Sequence, residues 1–77
     1  SMSAAMLWTQ MARNYFEAGY YAYAEPCYEK TLSIRAEKDP TNTQNRPMVR
    51  RLIMCKRALG KNGEISALAN KWLGGNE

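Results

Sequence analysis

The chain of 77 residues contains no histidine, a single phenylalanine and only two cysteines. The absence of histidine excludes His general-base catalysis, Ser-His and Cys-His nucleophile pairs, and zinc sites with histidine ligands. The acid/base groups that remain between the termini are Glu17, Glu25, Glu29, Glu37, Asp39 and Glu64. No spacing in the sequence places two of them in one apolar pocket. The sequence therefore predicts no catalytic residue, no cofactor and no enzymatic activity.

The two cysteines, Cys27 and Cys55, form no CxxC pair and are too few for a structural zinc site, so no metal site is predicted. Reduced and buried thiols are expected, although the count leaves one disulfide open. The longest apolar run, residues 52–55, is far below the ~20 residues that span a bilayer, and no signal-peptide pattern is visible. We expect a cytoplasmic protein without membrane contact. Residues 1–3 are expected to be a cloning remnant.

Apolar residues recur at the helical spacing i, i+3, i+4, i+7 in four segments. These segments cover roughly residues 4–18, 21–37, 47–59 and 65–72. They are separated by Gly19, by a loop over residues 39–46 without a hydrophobic residue, and by a tight turn over 60–63. Pro26 falls near the start of the second segment, where a slight bend is expected instead of a break. The sequence predicts an all-α single domain over residues 4–74, with about four helices in antiparallel hairpins.

The two hairpins form an internal repeat, because setting Gly19 against Gly60 superimposes them at an offset of 41 residues. The apolar positions of the two hairpins then coincide, while most identities differ. The first hairpin carries Trp8, Met11, Ala12, Tyr15, Ala24 and Tyr28 at the spacing of the tetratricopeptide repeat, a family that the chain resembles. The stretch YYAYAEPCYEKTLSIR is similar to the second helix of the kinesin-light-chain type of this repeat.

The second half departs from the family pattern. Lys56 stands where the family has tyrosine, Ile65 replaces the small alanine, and Ala69 replaces the aromatic residue. The resemblance thus implies a first repeat over residues 4–37 and a degenerate second repeat, or terminal cap, over 46–74. The implied architecture is a short α-solenoid.

The resemblance implies a protein-protein interaction module in which the first helix of each repeat lines a groove for a peptide or protein partner. The groove positions in this sequence are Met6, Thr9, Arg13, Phe16, Glu17, Arg50 and Met54. Phe16 is either a packing contact or a ligand anchor. Thr9 and Arg13 stand where the family's carboxylate-binding members need lysine and asparagine, so that clamp is not predicted.

The charge is uneven along the chain, with −1 in residues 1–39 and +5 in residues 40–77. The candidate basic patch consists of Arg46, Arg50, Arg51, Lys56, Arg57 and Lys61. It suits an acidic partner, including the Glu25, Glu29 and Glu37 side of a second copy. Nucleic acid is a weaker alternative, because no interleaved aromatic residues or named motif accompany the basic ones. A two-repeat solenoid also leaves its apolar ends uncovered, so self-association into a homo-oligomer is the main alternative function.

Overall fold

A computed structural model describes residues 3–76 of the chain. The helices are α1 (Ala4–Glu17), α2 (Tyr21–Lys38), α3 (Asn45–Ala58) and α4 (Ile65–Leu73), with a 3-10 turn at Asn62–Glu64. No strand occurs within residues 3–76, so the predicted all-α class of about four helices is confirmed. Of the expected cloning remnant, residues 1 and 2 lie outside the described range. Ser3 caps α1, because its hydroxyl accepts a hydrogen bond from the Met6 amide at 3.2 Å.

A glycine in the left-handed region follows α1, α3 and α4, whereas α2 ends before Asp39, whose φ is −154°. Gly60 follows α3 with a φ of 74°, and Gly74 follows α4 with a φ of 65°. Glycine adopts these angles without the clash that a Cβ would introduce. Pro26 lies inside α2, and the helix continues through it, as the sequence predicts.

Neighbouring helices pack as antiparallel pairs in chain order, α1 on α2, α2 on α3 and α3 on α4. In the first pair, Tyr15 near the end of α1 stacks on Tyr23 near the start of α2, whereas Thr9, earlier in α1, contacts Thr31, later in α2. These contacts show that the two helices run in opposite directions. The second pair shows the same pattern, with ion pairs from α3 reaching the start of α2 and Asn45 reaching its end. Because each helix mainly contacts its chain neighbours, α1 and α4 form the two ends of the array.

The core is a layer of apolar side chains between these helices. Its buried members are Ala12, Ala24, Cys27, Tyr28, Leu32, Met48, Val49, Leu52, Ile53, Cys55, Ile65, Ala69 and Leu73. Ala12 and Ala24 are completely buried, as expected for small residues where α1 and α2 approach closely. Both cysteines are buried and unlinked, which confirms the predicted free thiols.

The loop between α2 and α3 is shorter than predicted, because α3 begins at Asn45 and not at Pro47. Polarity suggested that Asn45 belongs to the solvated loop, but its side chain is buried. Its amide donates to the Asp39 carbonyl at 2.9 Å, and its Oδ1 accepts from Arg35 at 3.2 Å. These bonds satisfy a buried polar group and join the end of α2 to the start of α3.

Membrane insertion has no support in the helices. None of those between residues 3 and 76 has the length and apolar character needed to cross a bilayer.

Substituting glycine in the α3–α4 turn tests the backbone account. Gly60→Ala should destabilise the fold by about 1–2 kcal/mol, since alanine is strained in the left-handed region. Gly63→Ala is the matched control: it has no positive φ and open space around its Cβ position, so it should be neutral or stabilise by about 0.4–1 kcal/mol. Urea unfolding followed by circular dichroism measures both. Equal changes in the free energy of unfolding for the two variants would contradict the assignment of Gly60 to a left-handed position that favours glycine.

Candidate binding face and buried charge network

The predicted groove residues on α1 divide into an exposed set and a packed set. Met6, Arg13 and Glu17 project into solvent, and Arg13 donates to the Glu17 carboxylate at 3.0 Å. Thr9 instead lies half-buried against α2, where its hydroxyl donates to the Ala5 carbonyl at 2.6 Å. Thr9 is therefore a packing residue and not a free groove contact.

Phe16 belongs to the packing as well. Its ring meets Tyr21 edge-on at 5.7 Å and Tyr28 at 6.1 Å, measured between ring centroids. Of the two interpretations that the sequence left open, these contacts favour packing. The Phe16 ring therefore packs against α2 near the turn of the α1–α2 hairpin.

The groove residues on α3 are both exposed. Met54 and Met6 each leave 51% of their surface in solvent, a high fraction for a large apolar side chain. Arg50 lies one turn before Met54 on α3. From here on, the groove face means Met6, Arg13, Glu17, Arg50 and Met54.

Tyr28 of α2 lies in the core of the fold. Its ring is fully buried, and its hydroxyl has no hydrogen-bond partner of good geometry among residues 3–76. Burial raises the pKa of the Tyr28 phenol, whereas the positive charges of Arg51 and Arg13 lower it.

The predicted basic patch is wrong at Lys56. The structure buries this side chain to 2% exposure, and its ammonium is bound by carboxylates of the same chain. Lys61, from the turn after α3, is also engaged, because its ammonium contacts Glu25 at 2.9 Å. The exposed arginines of the patch are Arg46, Arg50 and Arg57, and Arg51 is half-buried.

Lys56 is the centre of a network that joins three parts of the fold. Its Nζ lies 2.5 Å from Glu25 and 3.1 Å from Glu29, both on α2. It also lies 2.6 Å from Glu64, in the 3-10 turn that leads into α4. Glu25 is buried as well, whereas Glu29 and Glu64 are about half-exposed. One ammonium thus ties α3 to α2 and to the start of α4.

The charges of Glu25 and Lys56 stabilise each other although both side chains are buried. Burial alone would raise the pKa of Glu25, but hydrogen bonds from Lys56 and Lys61 hold that pKa below its usual value. Burial alone would lower the pKa of Lys56, but hydrogen bonds to Glu25, Glu64 and Glu29 hold it well above the ordinary lysine value. Both groups are therefore charged at neutral pH.

The sequence pattern gave no prediction of this network. Glu25, Glu29 and Glu64 bring their oxygens within 4.8 Å of one another, a spacing typical of a cation site. The cation that they surround is the Lys56 ammonium. The internal repeat contains one indication that Lys56 is buried. At the offset of 41 residues, Lys56 occupies the position of Tyr15, which is a packing position in the tetratricopeptide pattern.

The thiols are not activated. Burial and the nearby Glu25 charge raise the pKa of Cys55 to about 11. Burial also raises the pKa of Cys27. Since the thiolate is the reactive form, neither cysteine is a nucleophile at neutral pH.

Comparisons with known proteins give no relative. No protein-family model, no curated protein and no solved structure matches this chain.

Removing one partner of the buried Glu25–Lys56 pair should lower the free energy of unfolding more than removing both partners. Lys56→Met leaves Glu25 buried with only Lys61 beside it, which should cost about 3–5 kcal/mol. The double variant Glu25→Leu/Lys56→Met should recover most of this loss, because apolar replacements leave no buried charge. Urea unfolding at neutral pH provides the measurement.

The control for this comparison is Lys61→Met, which removes the more exposed ammonium near Glu25. Lys61 is 44% exposed and Glu25 keeps its Lys56 partner in this variant, so the loss should be about 1 kcal/mol or less. A Lys56→Met variant that is no less stable than Lys61→Met would contradict the assigned role of Lys56.

Proposed function

We propose that this chain is a protein-protein interaction module of the tetratricopeptide type, acting in the cytoplasm and binding a peptide segment through the groove face. The single observation that carries the proposal is the exposure of this face. Met6 and Met54 are half in solvent although most large apolar side chains of the fold are packed. Exposed methionine is typical of surfaces that adapt to apolar side chains of a partner.

The charges of the groove face indicate an acidic segment. Arg50 is exposed on α3 and supplies positive charge to the groove face. Glu17 and Arg13 pair with each other, so their charges largely cancel and neither strongly repels nor attracts a carboxylate. A peptide with alternating apolar and acidic side chains would complement both components of this surface.

Nucleic acid has less support than an acidic peptide. Lys56 and Lys61, two of the six residues in the predicted basic patch, are ion-paired with Glu25. Phosphate contacts determine most of the affinity of nucleic-acid-binding proteins, and paired ammonium groups contribute little to them. The remaining exposed arginines serve an acidic protein segment equally well.

A titration followed through methionine methyl NMR signals tests the proposal. The probe is a synthetic peptide with alternating leucine and glutamate residues, and the control peptide has lysine in place of glutamate. The acidic peptide should shift the Met6 and Met54 signals. Met48, which is buried in the core, should report no direct contact. Shifts spread equally over all methionines, or the same shifts with the lysine peptide, would contradict the proposal.

A charge reversal separates groove binding from general attraction. Arg50→Glu should weaken the acidic peptide about three- to tenfold, since a surface ion pair is lost and a repulsion added. Lys30→Glu makes the same charge change on an exposed position of α2 and should leave affinity nearly unchanged. Equal losses in the two variants would indicate that net charge alone attracts the peptide.

A further inference from the structure

A second apolar surface lies on the other side of α1. It consists of Leu7, Met11, Tyr15, Tyr20 and Tyr23, and we call it the tyrosine flank. Leu7, Met11 and Tyr15 recur every four residues, so they share one face of α1. Tyr23 extends this face onto α2, because its ring stacks on Tyr15 at 5.4 Å and meets Tyr20 edge-on at 6.4 Å. All except Tyr15 are exposed.

Met11 shares the apolar spacing of α1 with Trp8, Ala12 and Tyr15, yet the structure leaves it exposed. It is 43% exposed, while Leu52, its counterpart at the offset of 41 residues, is 1% exposed. The same contrast separates exposed Leu7 from buried Met48, and half-buried Tyr15 from buried Lys56. In the second repeat α2 covers this helix face, as the Lys56 contacts with Glu25 and Glu29 show. The tyrosine flank is thus a helix face of the kind that a neighbouring helix covers elsewhere in this chain.

The tyrosine flank carries no charge. The charged residues before position 25 are Arg13 and Glu17. Each follows a flank residue by two positions, which places it about 200° further around α1. They also pair with each other on that opposite side. A symmetric contact through α1 therefore brings no like charges of α1 together.

We propose that the tyrosine flank pairs with the same flank of a second copy, giving a two-fold symmetric dimer with α1 against α1. Tyrosine and methionine are enriched in interface cores, whereas charged residues are depleted there. A head-to-tail contact with α4 fits less well. At the repeat offset, α4 offers exposed Ser66 and Asn70 in place of Glu25 and Glu29, and these match an apolar flank poorly.

The size of the flank predicts a weak dimer. A fully buried tyrosine covers about 150–250 Å². The half-exposed rings of Tyr20 and Tyr23, together with Leu7, Met11 and the partly covered Tyr15, therefore supply less than the ~800 Å² per partner of a standard interface. The dimer should therefore dissociate on dilution. Salt should not dissociate it, because no ion pair holds it together.

Sedimentation equilibrium from micromolar to millimolar protein tests the proposal. The expected result is a monomer–dimer equilibrium that is the same at low and high salt. Monomer at every concentration would overturn it, and so would growth beyond dimer, which indicates a head-to-tail contact. Dissociation by salt would also overturn it and would indicate a contact through the basic residues of α3.

Substitution at the centre of the flank makes the test specific. Met11→Glu should raise the dimer dissociation constant on the order of a hundredfold, because it buries like charges. Met54→Glu makes the same change at a similarly exposed methionine of the groove face and should leave the dimer intact. Circular dichroism verifies that both variants stay helical. Equal dimerisation of the two variants would overturn the proposal.

Mixing two variants tests the symmetry itself. Met11→Glu and Met11→Lys should each be monomeric, and an equimolar mixture should recover dimers, since residue 11 lies near its own copy across the two-fold axis. A mixture that stays monomeric would contradict the α1–α1 arrangement. The dimer is independent of the proposed peptide binding, because the flank and groove face lie on different sides of α1. Met11→Glu should therefore bind the acidic peptide as before.

Discussion

The buried ammonium of Lys56 is the constraint on which the arrangement of the second half depends. An unpaired charge in this position would cost several kcal/mol, so the fold must bring carboxylates to it from elsewhere. Those carboxylates come from α2 and from the turn before α4. The network therefore fixes α3 and α4 against α2 at one point.

This network also changes how the charge of the protein should be understood. The chain has a nearly neutral first half and a basic second half. Part of this positive charge is neutralised within the chain, because Lys56 and Lys61 form ion pairs with Glu25. Lys56 also contacts Glu29, so two of the three acidic residues that could face a second copy, Glu25 and Glu29, are paired within the chain. What remains outside is an arginine-bearing groove face on one side of α1 and an uncharged flank on the other.

The helices were predictable because their signals are local. The spacing of Trp8, Ala12 and Tyr15 indicates α1 without any knowledge of its neighbours, and glycine indicates the ends. The network was not predictable in this way, because the partners of Lys56 lie 31, 27 and 8 positions away in the sequence. Asn45 shows the same limit, since a polar residue in a polar stretch gives no sign that two specific hydrogen bonds will bury it. The groove face was predicted through a family resemblance, and the packing of Thr9 and Phe16 depends on side-chain directions that spacing does not define.

Lys56 is a buried cation paired with three carboxylates, and a measurement of its pKa tests this pairing. The Lys56 side chain can be followed by NMR of its ε-carbon while the pH is raised. An exposed lysine titrates near 10.4, and the carboxylates around Lys56 should keep it protonated well above that value. Because the folded pKa is raised, the stability that this group contributes is present below about pH 10 and is lost as the pH rises through the folded value. A Lys56 signal that titrates at or below the ordinary lysine pKa would contradict the account.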